Sequence, residues 1–319
     1  MEWSQTLTYI DNIAKLKKIT NKKYINVKAL KMQHQPENMI PKNMIPKNMI
    51  PKNMIPKNMI PKNLILTYKT KNVDEFPEFY RLCFDRIVEF FNDYEIKIFD
   101  DTDMDVLVRS FNSKLYEVYQ QCEIIRKTDI FRLVALYVYG GIYMDLDVYL
   151  EKNPKSYIEQ CDKSVILCIE KLNSPTPFSM YKDHHMKYVG LANYFIASAP
   201  KTKFLYDCLH YILIINTNTK VTVYDNPFSN NSKHIIYTGN LGGAIAVNYV
   251  NISNDVEHLK YTGPPYILCT TGPCLVTKVY YDNPIFSETV HLLTADKDDQ
   301  VGEYGSHHYL GYGYSKKKT

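Results

Sequence analysis

Between Lys127 and Leu150 the hydrophobic period of the chain changes. As far as Tyr137, the apolar residues Ile130, Phe131, Leu133, Val134, Leu136 and Tyr137 wrap a helix, with Thr128 as the expected N-cap and Asp129 at its positive end. Gly140 and Gly141 end that helix. From Ile142 to Leu150 the period becomes two, which predicts a strand with Ile142, Met144 and Leu146 on one face and Tyr143, Asp145 and Asp147 on the other. Upstream, the segment from Ile60 to Thr70 opens into an apolar strand, Pro77 to Asn92 has helical periodicity, and Glu95 to Phe99 reads as a second strand. The acidic run Asp100, Asp101, Asp103 and Asp105 places negative charge at the start of a helix predicted to reach about Cys122. Ser164 to Glu170 is a further strand. Strands alternating with helices predict an α/β fold with a Rossmann-like, mostly parallel central sheet and helices on both faces.

The first part of the chain has a different pattern. From Asn38 to Lys62 the unit NMIPK occurs five times in tandem. A proline every fifth residue forbids a helix and pushes each preceding isoleucine toward extended geometry, so this segment is expected to be a spacer. It divides the sequence into a basic extension (1–37), the spacer (38–62), a catalytic domain (60–314) and a basic tail (315–319). The net charge of +4 hides this division. Twelve lysines in residues 1–62 face only Glu2, Asp11 and Glu37, a local +9, which leaves −5 on the remainder. A basic arm suits peripheral contact with an anionic membrane surface. Nucleic acid is not an expected partner, and a solvated tail is the plainer account of the arm.

Three features change the picture chemically. Asp145 and Asp147, spaced D-x-D at a strand end, can hold a hard divalent cation that bridges the phosphates of a nucleotide. Asp129 and Arg132, three apart on one helix face, add an acceptor and a rigid fork of donors suited to sugar hydroxyls and phosphate. Taken singly, a D-x-D is more often a solvated turn, and such an Asp/Arg pair more often a plain salt bridge. The acidic run after Phe99 fails as an EF-hand, because Val106 stands where glycine must turn the chain and Asn112 where a glutamate must close the loop. The pair His184 and His185 has no third ligand at a recognisable spacing and reads as surface.

In combination, T-D-x-x-R followed by L-Y-x-Y-G-G-I-Y-x-D-x-D-V closely resembles the DXD sugar-binding region of the family 32 glycosyltransferases. That group includes yeast Golgi mannosyltransferases and lactosylceramide galactosyltransferase; the clostridial glucosylating toxins are more distantly similar there. The resemblance implies a GT-A fold, a nucleotide-diphosphate-sugar donor, a divalent metal (manganese, with magnesium as the alternative) and retention of anomeric configuration. It assigns Asp147 to the metal and Asp145 to ribose or metal-bound water, with Asp129 and Arg132 on the donor sugar and Tyr143 among the donor-binding residues. Further matches extend it from Ile60 to Gly313. IPKNLILTYKT resembles the family's first strand, with Tyr68 where an aromatic residue stacks on the base. The segment beginning GLANYFIASAP puts Asn193 near the sugar, and TGPCLVT matches a turn in which Gly272 and Pro273 shape the chain beneath the site. SHHYLGYGY matches a closing H-H-W-A-G-S-W at His307, His308 and Gly311 and departs from it at Tyr309, Tyr312 and Gly313. Of the two histidines, His308 is the expected metal ligand.

These matches point to a metal-dependent hexosyltransferase acting on a glycan, lipid or protein acceptor. Two other classes stay open. A haloacid-dehalogenase-like phosphatase also ends a strand in D-x-D, with the first carboxylate as nucleophile, although Tyr149 stands here where that motif has threonine or valine. A protein that binds nucleotide sugars without turning them over is the other. The seven cysteines are scattered, with no C-x-x-C, which suggests reduced thiols in a cytosolic compartment. No apolar run is long enough for a membrane span and the start lacks a signal-peptide pattern. A cytoplasmic location is therefore expected, or a viral factory or virion, since the Asn, Ile, Lys and Tyr bias fits an AT-rich genome such as that of a large DNA virus of protists.

Overall fold

The computed structural model describes residues 60–171, 189–217, 220–225, 232–238, 244–251 and 263–310. The basic extension, most of the spacer, His184, His185, Gly311, Tyr312, Gly313 and the lysine tail lie outside the described residues.

The first strand, β1 (Asn63–Thr67), is central although it comes first in the chain. It pairs in parallel with β2 (Glu95–Phe99) on one side and with β3 (Gly141–Met144) on the other. Outward from β3 come β6 (Gly190–Ser198), β5 (Val165–Lys171) and β10 (Val290–Leu293), completing a six-stranded sheet in the order β10-β5-β6-β3-β1-β2. Strand β6 alone runs against its neighbours, so the sheet is mostly parallel, as expected. Alternation along the strands feeds two separate cores. Ile65 and Tyr143 enter one, with Leu133, Val134 and Leu136 of helix α4 (Ile124–Tyr139) and Phe204, Leu205 and Ile212 of α6 (Lys203–Asn216). Leu64, Leu66, Ile142 and Met144 enter the other, against Phe84 and Ile87 of α1 (Glu78–Phe90) and Ile158 of α5 (Lys155–Gln160). Helices therefore cover both faces. Each such Leu, Ile or Phe contributes about 1.5–3 kcal/mol on burial, so these two layers fix which way the strand ends point.

Several boundaries differ from the sequence pattern. The expected single helix after Phe99 is two, α2 (Asp101–Phe111) and α3 (Ser113–Gln120). Asp100 and Asp103 form a capping box at the start of α2, while Asn112 leaves helical geometry and accepts from Leu115 N to cap α3. Helix α4 starts a turn before Thr128, after Glu123, so Thr128 is inside the helix with its Oγ1 donating to Ile124 O at 3.0 Å. The predicted strand Ile142–Leu150 is broken. Strand β3 stops at Met144, the chain turns with Val148 N donating to Asp145 O, and β4 (Val148–Leu150) pairs antiparallel with β11 (Gly305–His307) in a separate ribbon. A third sheet, antiparallel, is made of β7 (Lys220–Asp225), β8 (Ser232–Thr238) and β9 (Ala244–Asn251), which the pattern did not foresee.

Gly140 and Gly141 do more than end α4. They have φ of +62° and +108°, and a Cβ on Gly141 would stand 2.4 Å from Asn63 O. The two glycines let the helix reverse directly into β3 while β3 lies against β1, and Asn63 Nδ2 donates to Tyr139 O across the junction at 3.1 Å. Gly141→Ala combines a backbone conformation that L-residues rarely adopt with a clash against main chain, and is expected to cost about 2 kcal/mol or more. Urea unfolding would show it as a lowered midpoint at unchanged slope; a wild-type midpoint would mean that the junction can relax.

Candidate active site

The end of β3 and the ribbon beside it bring three ligand atoms together. Asp145 Oδ2, Asp147 Oδ1 and His307 Nε2 converge, with the imidazole nitrogen 3.9 Å from the first and 3.2 Å from the second, and the cluster's donor atoms all lie within 4.8 Å of one another. The other oxygen of each carboxylate is held by the protein. Asp145 Oδ1 accepts from the buried Tyr143 hydroxyl at 2.6 Å and lies 3.5 Å from Arg132, while Asp147 Oδ2 accepts from Leu310 N at 2.8 Å. Tyr143 also meets Thr67 Oγ1 at 3.2 Å, tying this end of β3 to the end of β1. Burial acts to raise the Asp147 pKa, but the hydrogen bond and charge of His307 and the Leu310 N–H outweigh it and hold the carboxyl below its ordinary value.

The histidine in this cluster is His307; His308, the expected ligand, is directed elsewhere. The β4–β11 register pairs His307 with Val148, next to Asp147. On a strand of period two, His307 faces the carboxylates while Ser306 and His308 share the opposite side. There His308 Nε2 meets Ser306 Oγ at 3.2 Å and its ring packs on Phe79, centroids 4.8 Å apart.

Beside the cluster lies a buried polar network. Arg132 is 5% exposed and Asp129 3%. Arg132 Nη2 is 3.2 Å from Asp129 Oδ1, Nη1 donates to Asn193 O at 2.5 Å, and the guanidinium lies 4.7 Å from the centre of the Tyr143 ring. Asp129 Oδ1 also accepts from Asn193 Nδ2 at 2.8 Å, and Oδ2 from Thr271 Oγ1 at 2.9 Å. Burial pushes the Asp129 carboxyl up to about 6 against the lowering pull of Arg132 and Thr271. Arg132 stays protonated: burial opposes its charge, but Asp145, Tyr143 and Asp129 together raise it. Three carboxylates thus face one guanidinium, a local excess of negative charge that suits a cation beside Asp145 and Asp147.

These groups line one cavity of about 390 Å³. Asp129, Arg132, Asp145, Asp147, Asn193 and His307 are on its wall, with Tyr68 at the β1 end. The Tyr68 ring packs on Phe76 and Tyr80 at centroid distances of 4.7 and 5.3 Å. Tyr143 is fully buried beneath Asp145 and reaches the cavity only through it. Thr271 was not anticipated; it stands just before Gly272, the N-cap of helix α7 (Pro273–Asp282), and so the T-G-P turn brings a hydroxyl to Asp129. The donor set fits a divalent cation: two carboxylate oxygens and one imidazole nitrogen converge, each carboxylate fixed through its second oxygen. All seven cysteines are free thiols and five are buried. Among the described residues no helix is long and apolar enough to cross a membrane.

Residues 77–194, from the start of α1 to within β6, match the family model described as a glycosyltransferase sugar-binding region containing the DXD motif. The part of the chain that carries Asp129, Arg132, Asp145, Asp147 and Asn193 is therefore similar to a glycosyltransferase sugar-binding region. No curated protein matches the chain. Among solved structures it is similar to PaToxG glycosyltransferase, at 15% identity over 71% of each chain with a TM-score of 0.38. It is also similar to the UDP-bound glycosyltransferase domain from the YGT toxin, at 12% identity, a TM-score of 0.31 and coverage of 65% of this chain and 54% of that one. The ligand-free form of that domain gives 12% identity, the same coverage and a TM-score of 0.33. The chain thus spans about half the length of the YGT toxin domain. At this distance the likeness bears on neither substrate nor mechanism.

Proposed function

We propose that this chain is a metal-dependent, retaining glycosyltransferase of the family 32 type, moving a hexose from a nucleotide-diphosphate sugar to an acceptor. The observation that carries the reading is the convergence of Asp145 Oδ2, Asp147 Oδ1 and His307 Nε2 in the same cavity as the Asp129–Arg132–Asn193 network. Asp147, Asp145 and His307 would hold the cation, with manganese favoured by the mixed oxygen and nitrogen set and magnesium as the alternative. When bound, it supplies neutralising charge for the diphosphate that departs.

The chain's own residues do the positioning. Tyr143 and Arg132 hold Asp145 Oδ1, which keeps Oδ2 turned toward the cluster. Asp129 accepts from Asn193, Thr271 and Arg132, and an ionised carboxylate has about one further acceptor site, on Oδ2, with which to orient a sugar hydroxyl. A group engaged in this way is suited to holding a substrate and poorly suited to attacking it, in keeping with a retaining reaction that uses no protein nucleophile.

The test is a screen of nucleotide sugars with the purified full chain and manganese, following release of the nucleoside diphosphate. Metal-dependent release from one donor or a narrow set is expected. Turnover of a simple phosphomonoester that is lost in Asp145→Asn, with every nucleotide sugar left intact, would replace this reading by the phosphatase one. Stoichiometric binding of a nucleotide sugar without release would make the chain a binding protein.

A further inference from the structure

A metal-ligating histidine is usually oriented by a hydrogen bond from its second ring nitrogen to a carboxylate, carbonyl or water. His307 Nδ1 is buried and has no hydrogen-bond partner among the described residues. On the Nδ1 side packing takes the place of a hydrogen bond, and two tyrosine rings provide it. The Tyr194 ring is stacked on His307 at a centroid distance of 4.3 Å, and the Tyr309 ring lies tilted against it at 4.1 Å. Tyr194 is anchored in β6, and its hydroxyl donates to Gln300 O at 2.9 Å.

Tyr309 is placed differently. It sits past the end of β11 with φ of +53°, in the left-handed region that a tyrosine rarely adopts without compensation. Its side chain supplies the compensation. Its hydroxyl donates to Asp299 Oδ1 and lies 3.2 Å from Glu170 Oε1, so the ring is tied to the end of β5 and to the loop that precedes β11. The left-handed turn at Tyr309 also delivers the next residue, Leu310, whose N–H donates to Asp147 Oδ2 at 2.8 Å. One side chain and its backbone thus act on two members of the cluster, His307 through ring contact and Asp147 through the following amide.

Resting on the reading of Asp145, Asp147 and His307 as a metal site, we propose that Tyr309 is its positioning residue, holding the His307 imidazole and, through Leu310 N, the Asp147 carboxylate in ligating geometry. It replaces the hydrogen-bonded partner that such a histidine ordinarily has. Tyr309 is not itself a member of the ligand cluster.

The experiment measures manganese binding to the purified full chain, without donor, by the loss of the free-ion paramagnetic resonance signal. It compares wild type with Tyr309→Leu, which removes the ring, and Tyr309→Phe, which removes only the anchor to Asp299 and Glu170. Loss of an orienting partner ordinarily weakens metal affinity about 10- to 100-fold, and this is expected for Tyr309→Leu, with a smaller loss for Tyr309→Phe. Thermal melting of each variant separates this from unfolding. A second readout needs no metal: in the metal-free protein the His307 ring protons, assigned by their absence from His307→Gln, should move when Tyr309 becomes Leu, because the ring current acting on them is removed. Wild-type affinity in Tyr309→Leu, or unmoved His307 resonances, would overturn the positioning role. Absence of manganese binding by the wild-type chain would instead overturn the metal site, and the positioning role with it.

Discussion

Asp147→Asn is expected to cut manganese-dependent release of nucleoside diphosphate by about two orders of magnitude or more, the kinetic equivalent of losing several kcal/mol of charge stabilisation. The fold should barely respond. Asp147 is 6% exposed, but the amide that replaces it keeps an oxygen for Leu310 N, and it removes a like charge from beside Asp145. The Asp147 carboxyl is held below its ordinary pKa, so the stability it contributes is present at neutral pH and is lost only as pH falls through the lowered value. At neutral pH the variant forfeits that contribution, but the relieved repulsion from Asp145 and the retained bond from Leu310 N offset it, so it should melt within a few degrees of wild type. Turnover assays across manganese concentrations, together with melting curves, check both halves. A variant with wild-type turnover would remove Asp147 from the ligand set, and collapse of the fold would show that its hydrogen bonds matter more than its charge.

The sequence pattern located this carboxylate but not the geometry around it, for a physical reason. Alternation from Ile142 to Leu150 survives the turn at Asp145–Asp147, because β4 resumes period two as soon as the turn closes, so one strand and two short ones leave the same pattern. Elements bounded by strong local signals were legible. Strand β2 runs from Glu95 to Phe99 as read, and α1 lies within the predicted Pro77–Asn92. The break at Asn112 was not legible, since a polar residue midway along a helical pattern looks like surface until its side chain is seen to cap the next helix. The start of α4 was misplaced because Thr128 is a good capping residue type, yet here its hydroxyl bonds back to Ile124 O from inside the helix.

The site divides along the same line. Asp129, Arg132, Asp145, Asp147 and Asn193 are local to motifs, and the fold brings them to one cavity. Selecting between His307 and His308 needed the pairing register of β11 on β4, which no single-chain period supplies. Thr271 could not have been singled out, because it meets Asp129 across 142 positions of sequence through one hydroxyl.

The second large effect is expected at Arg132. Arg132→Met keeps much of the side-chain volume and removes the charge, leaving Asp129 buried with only Asn193 and Thr271 as donors, and breaking one partner of a buried pair costs about 3–5 kcal/mol. The pH dependence of that loss identifies its cause. Asp129 is raised to about 6 in the folded protein, above its unfolded value, so the native state binds its proton more readily than the unfolded chain. Burial of its charge consequently penalises the fold above that pH, and the penalty is relieved as pH falls from there toward the unfolded value. Without Arg132 the main opposing attraction is gone, the folded value moves higher still, and relief should begin at a higher pH. The melting-temperature gap between wild type and Arg132→Met should therefore be widest near pH 8 and narrow steadily toward pH 5.5. A gap of constant width would show that the loss arises from packing against Tyr143 and the bond to Asn193 O, with the Asp129 charge contributing little.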